Sequence, residues 1–188
     1  GIEKVTFPSS LSKLGSYAFS KSNLKSVDLS ETSLSVVEDY AFSWTDLTSV
    51  KLEDGITDIG EGAFCGCNEL TSVDFGSGVQ KIARSAFFRN ALTEISLPNS
   101  LTTIERDAFY DCTSLASIEW PSNEAFTTVN GFDGCTSLSA EEVNKALALP
   151  GVTTVGECSF SRCAFDSLII PANIRKIEDL AFNNLEGL

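Results

Sequence analysis

Six cysteines and 26 acidic side chains carry whatever chemistry this 188-residue chain can perform, and their spacing decides which chemistry that is. Cys67, Cys112, Cys135 and Cys163 each stand three residues after a phenylalanine, namely Phe64, Phe109, Phe132 and Phe160. Ser22, Thr45 and Asn90 hold the same place after Phe19, Phe42 and Phe87. A slot shared by these residue types reads as an inward ladder of small side chains, where free cysteine behaves as a small hydrophobe. If successive repeats stack about 4.8 Å apart, Cys112–Cys135 or Cys135–Cys163 would fall within the Cα range of a disulfide, although parallel Cβ directions disfavour the bond. A reduced ladder, a disulfide involving Cys65, Cys158 or a ladder member, and a metal site all stay open. The reduced ladder is favoured, and no metal ligand and no cofactor is assigned.

The chain has no histidine, which removes Ser-His-Asp and Cys-His catalysis and every histidine-containing metal site. Neither a glycine-rich phosphate loop nor calcium-loop spacing occurs. The acidic residues sit where a repeat would expose them, so they read as a solvated face rather than a general acid–base pair. No catalytic residue and no enzymatic activity is expected. A net charge of −13 with scattered basic residues lacks the clustered basic footprint of a nucleic-acid groove. Anionic membrane surfaces also attract basic segments, and no stretch approaches the roughly 18–20 apolar residues of a membrane span. Acidity serves solubility and favours a basic partner over an acidic one.

The elements that must position these side chains follow from one period. Phenylalanine returns at Phe19, Phe42, Phe64, Phe87, Phe109, Phe132, Phe160 and Phe182, in steps of 23, 22, 23, 22, 23, 28 and 22 residues. A period in the twenties belongs to a stacked solenoid, because one such unit is too small to bury its own apolar face. Within a unit, Leu-x-x-Val/Ile-x-Leu/Phe alternates as a half-buried strand does. It appears as Leu24, Val27 and Leu29, as Leu47, Val50 and Leu52, as Leu70, Val73 and Phe75, as Leu92, Ile95 and Leu97, and as Leu115, Ile118 and Trp120. Proline closes the strand at Pro8, Pro98, Pro121 and Pro171, where a fixed φ and a missing N–H open a turn. A second apolar pair such as Ile56/Ile59 or Leu101/Ile104 predicts a short second strand before each Ala-Phe turn.

The run Pro98-Asn99-Ser100-Leu101-Thr102-Thr103-Ile104-Glu105-Arg106-Asp107-Ala108-Phe109-Tyr110-Asp111-Cys112 resembles the pattern of the BspA-like, treponemal-type leucine-rich repeat family. The likeness covers essentially the whole chain. It implies a mainly β, curved leucine-rich-repeat solenoid of about eight 22–23-residue coils, found on bacterial and some protist cell surfaces and working in adhesion and protein binding. It carries over no catalytic residues. The partner class it implies is a protein or glycan ligand, such as a host matrix or cell-surface component, at an extracellular or cell-surface location. The absence of any Asn-x-Ser/Thr sequon agrees with a bacterial source. The competing reading is a structural spacer or stalk carrying an activity elsewhere in a longer chain.

If there is a ligand, the strand sheet should carry it, because only that face repeats a flat, rigid array of outward side chains. Its expected columns are Ser26, Ser49, Ser72, Glu94 and Ser117, and beside them Asp28, Lys51, Asp74, Ser96 and Glu119. For each residue the plain alternative is a solvated sheet face. The 28-residue step breaks the pattern, and there Ser139 followed by Glu142 gives a capping-box signature. Good helix formers and then Pro150-Gly151 follow, which predicts a helical insertion over 139–149. Roughly ten helical residues span about the length of the strand they replace, so the helix can stand in the strand lane. The repeat is expected to run as a single solenoid over 1–188, a fragment of a longer surface protein, with any signal or anchor outside it.

Overall fold

A computed structural model describes residues 1–185, and it is a β-solenoid of about seven turns with one short helix. The Leu-x-x-Val-x-Leu segments form the first lane of parallel strands: β1 (Ser26–Asp28), β3 (Ser49–Lys51), β5 (Ser72–Asp74), β7 (Glu94–Ser96) and β9 (Ser117–Glu119). The second apolar pairs form a second lane, one short strand per turn. It comprises β2 (Val36–Val37), β4 (Asp58–Ile59), β6 (Lys81–Ile82), β8 (Thr103–Ile104), β10 (Thr128–Val129), β11 (Thr154–Val155) and β12 (Lys176–Ile177). In the second lane β2-β4-β6-β8 form one sheet and β10-β11-β12 another, and within each sheet every strand pairs in parallel with its equivalent in the neighbouring turn.

The eight phenylalanines form one column through the interior. Neighbouring ring centroids lie 5.2–6.0 Å apart with planes within 14° of parallel. The six inner rings have no exposed surface. This separation is the inter-coil spacing, so stacking and the parallel hydrogen-bond ladder are satisfied by the same geometry.

The third side of each turn is a ladder of tight Ala-Phe turns. The Phe42, Phe64 and Phe87 N–H groups donate to the carbonyls of Ala63, Ala86 and Ala108 in the following coil at 2.9, 2.8 and 2.7 Å. In most coils two residues here, two before and two after the phenylalanine, have positive φ: Tyr17 and Lys21, Tyr40 and Trp44, Ser85 and Arg89, Asp107 and Asp111. In the third coil glycine fills both positions. A Cβ on Gly62 would come within 2.3 Å of the Tyr40 ring and one on Gly66 within 2.5 Å of the Trp44 ring. Left-handed backbone and close approach of a ring therefore ask for glycine together.

The helix α1 (Ala140–Leu147) stands where the next first-lane strand would have been. Ser139 caps it, accepting from the Glu142 N–H at 3.3 Å. Glu142 does not reach back to close the capping box. Its carboxylate instead accepts from the Ile118 N–H of β9 at 3.3 Å and from Lys145 at 2.6 Å. A carboxylate thus replaces the backbone carbonyl that a sixth strand would have offered. On the helix's other side Asn144 accepts from the Ile169 N–H at 3.1 Å.

The first lane is interrupted once more, between β5 and β7, which belong to separate sheets although they are neighbours. The Leu29, Leu52 and Leu97 N–H groups each donate to the next strand, but among the described residues Phe75 makes no such bond. The last inward position of the first-lane segment explains the pattern. Where leucine stands there (Leu29, Leu52, Leu97) it is buried, and the ladder continues. Phe7, Phe75 and Trp120 instead stand edge-on against the column rings of Phe19, Phe87 and Phe132, at 5.7, 5.6 and 5.3 Å. Among the described residues the N–H groups of these three aromatics make no backbone bond to the next turn, although the Lys25 N–H still donates to Glu3 at 3.1 Å beside Phe7. An edge-on ring needs more radial room than leucine and holds its strand away from the next.

Candidate binding surface

All ten first-lane residues singled out from the sequence are exposed, and they lie on one face. Each strand shows an out-in-out pattern about a central inward Val or Ile. The register aligns Ser26, Ser49 and Ser72 across β1, β3 and β5, with Asp28, Lys51 and Asp74 alongside. Across β7 and β9, Glu94 faces Ser117 and Ser96 faces Glu119. The fold therefore assembles the two columns, divided by the break between β5 and β7.

The electrostatics of this face differ from those of the rest of the chain. None of the ion pairs among the described residues involves β1, β3, β5, β7 or β9. Those pairs lie on the second lane, the turn ladder and the helix, as in Lys81–Glu105, Arg89–Asp111, Arg162–Asp133 and Lys145–Glu141. The two columns hold Asp28, Asp74, Glu94 and Glu119 against the single cation Lys51. The Asp28 carboxyl is held below its usual range by the hydroxyl and N–H of Ser30, and then by Lys51. Glu119 accepts from the Ser96 hydroxyl at 2.6 Å. At the break, Ser72, Glu94, Ser96, Ser117 and Glu119 line a cleft of about 390 Å³. Val73 at its floor is half-exposed, whereas the corresponding residues of the other four strands are buried.

The cysteines form a different kind of array. All six are free and buried. The ladder thiols of Cys67, Cys112, Cys135 and Cys163 donate to the carbonyls of Phe42, Phe87, Phe109 and Phe132 in the preceding coil at 3.2, 3.1, 3.2 and 3.4 Å. Burial pushes Cys112 and Cys163 up to about 12 and Cys135 well above its ordinary value. These are neutral packing groups and not nucleophiles. Among the described residues no group of His, Cys, Asp or Glu is arranged to hold a metal ion, and no helix is long and apolar enough to cross a membrane.

Sequence reasoning missed the turn ladder as a surface. Tyr17 stacks on Tyr40 at 5.0 Å, Phe88 on Tyr110 at 5.3 Å, and Arg162 lies over Tyr110 at 4.7 Å. Its signal was present in Gly62, Gly66, Asp107, Asp111 and Gly134, which recur two residues from the phenylalanine. The arginines there are already paired with Asp111 and Asp133, so the ladder's polar groups are largely engaged within the fold.

The sequence matches the family described as BspA type leucine rich repeat region in six copies, over residues 1–87, 35–147 and 129–188. Among solved structures it is similar to the T. pallidum leucine rich repeat protein, with 25% identity, 66% of this chain and 71% of that one covered, and a TM-score of 0.48. A leucine-rich repeat protein from Eubacterium ventriosum is 16% identical over 92% of this chain and 54% of its own, with a TM-score of 0.57. One from Bacteroides ovatus is 18% identical over 86% and 46%, with a TM-score of 0.50. The chain thus spans about half the length of those last two, and the likeness to them is one of fold. No curated protein matches the sequence.

Proposed function

Because this chain belongs to the BspA-type leucine-rich repeat family, we propose that it is a non-enzymatic binding and adhesion module of an extracellular or cell-surface bacterial protein. Its first-lane face is the platform, and the partner is a basic protein surface. One observation carries the reading. Seven of the chain's 13 lysines and arginines form ion pairs, all of them away from the first-lane strands, while the four carboxylates of the two first-lane columns share those columns with Lys51 alone. A rigid acidic face of this kind steers a basic partner and weakens with salt, because exposed charges are screened beyond about 10 Å at 0.1 M.

The test is a triple reversal of Asp28, Asp74 and Glu119 to lysine. Retention on immobilised matrix proteins of basic and acidic character is measured as salt rises from about 0.05 to 0.5 M, beside a melting curve. The wild type should be held by basic proteins and released by salt, and the folded variant should lose that retention. Undiminished retention of a folded variant would overturn the platform and leave the spacer reading.

A further inference from the structure

The break between β5 and β7 is a concavity on the platform lined by strand backbone, hydroxyls and carboxylates, and we infer that it takes an arginine side chain of the basic partner. The inference rests on the platform reading and sharpens it to a residue type. Three observations carry it. Neighbouring strands that should share a ladder do not, so backbone groups of β5 and β7 that every other adjacent first-lane pair satisfies mutually are left for another partner. The gap is a cleft of about 390 Å³, and the half-exposed Val73 side chain gives it an apolar floor. Glu94 and Glu119 stand at its edge with no cation paired to either among the described residues.

The chemistry fits guanidinium better than ammonium. A planar fork of five N–H donors can bond a carboxylate, a serine hydroxyl and strand carbonyls left without a partner, and its flat face tolerates an apolar floor. Lysine would bring the same charge as a compact, strongly hydrated point and would leave most of those acceptors unmet. The rest of the platform, with Asp28 and Asp74 on a continuous sheet, offers carboxylates without a cleft and should not distinguish the two cations.

The seam has an identifiable cause, which makes the inference testable without touching its lining. Phe75 stands edge-on to Phe87 at 5.6 Å, where the corresponding residue in β1, β3 and β7 coils is leucine. Phe75→Leu should let β5 and β7 close into one ladder.

Fluorescence anisotropy with a labelled Gly-Arg repeat peptide and its Gly-Lys counterpart reads the preference directly. The wild type should bind the arginine peptide about five- to tenfold more tightly, as bidentate bonding adds to charge. Glu94→Gln with Glu119→Gln should erase the difference, and Phe75→Leu should do the same. Asp28→Lys should weaken both peptides together and keep the ratio. Amide exchange provides the structural arm, because Val73 and Phe75 should exchange faster than Val50 and Leu52 and become protected in Phe75→Leu. Equal binding of the two peptides by the wild type would overturn the seam and leave the platform standing. No salt-sensitive binding of either peptide would overturn both. An arginine preference that survives the double glutamine variant, or protected Val73 and Phe75 amides in the wild type, would also end the inference, even if Phe75→Leu failed to fold.

Discussion

Removing the ring of Phe109 tests whether the phenylalanine column holds the coils together from end to end. Phe109 has no exposed surface and is stacked on both faces, by Phe87 at 5.3 Å and Phe132 at 5.2 Å. Phe182 is half-buried and stacks on Phe160 at 5.9 Å. Emptying a packed phenylalanine site costs about 3–5 kcal/mol, and the spread reflects how far the surroundings can collapse. Collapse is resisted at Phe109 because backbone bonds fix the coils on either side, Phe87 N–H to Ala108 at 2.7 Å and Phe109 N–H to Gly131 at 2.8 Å. The loss for Phe109→Ala should therefore lie at the upper end, about 4–5 kcal/mol. For Phe182→Ala, half-burial reduces the apolar contribution to about 1–1.5 kcal/mol. Urea unfolding followed by far-UV circular dichroism measures both, with Trp44 and Trp120 reporting different turns. The difference in midpoint converts to free energy only if the probes coincide and the slope is unchanged. A loss at Phe109 no larger than that at Phe182 would refute end-to-end stacking as the source of stability.

Glu142→Ala should cost about 1–3 kcal/mol, the penalty for leaving the Ile118 N–H without its acceptor, whereas Glu142→Gln should recover most of it. Amide exchange at Ile118 checks this, and unchanged exchange in the alanine variant would show that the helix does not close the sheet. The ladder thiols should resist a thiol reagent at pH 8 in the native state, and all six should react once the chain is unfolded. The same burial fixes a pH dependence. Unfolded thiols ionise near 9 while folded Cys112 and Cys163 are pushed up to about 12, so the unfolded state releases protons first and stability falls as pH rises from about 9 to 12. Tyr40, raised to about 12 by its bond to Glu61, acts in the same direction from about 10 upward. A Cys112→Ala, Cys163→Ala variant should lose melting temperature less steeply over that window than the wild type. Parallel curves would remove burial of these thiols as the cause.

What could be read from the sequence and what could not divide along a physical line. Period-2 alternation around Val27, Val50 and Ile95 and the recurrence of phenylalanine specify strands, core and register, because each inward position must be apolar and each outward one wetted. The ten outward residues of the platform could be named for the same reason. The turn ladder was hidden because its left-handed positions accept Tyr17, Trp44, Arg89 and Cys158 as well as glycine, so no single residue type marks them. The break in the platform was hidden differently. Leu29, Leu52, Phe75, Leu97 and Trp120 look interchangeable when only hydrophobicity is compared, yet only the leucines allow the ladder to continue. Ring size against the phenylalanine column is the missing variable: an aromatic at this slot stands edge-on to the column, pushes its strand outward, and converts a continuous sheet into a cleft or into a place for a helix. In this chain the polar cleft coincides with one inward residue, Phe75 where Leu29, Leu52 and Leu97 stand in other turns, while the outward pattern continues unchanged. If the cleft binds as proposed, recognition on this solenoid is encoded partly in its core, and comparing exposed columns alone would overlook it.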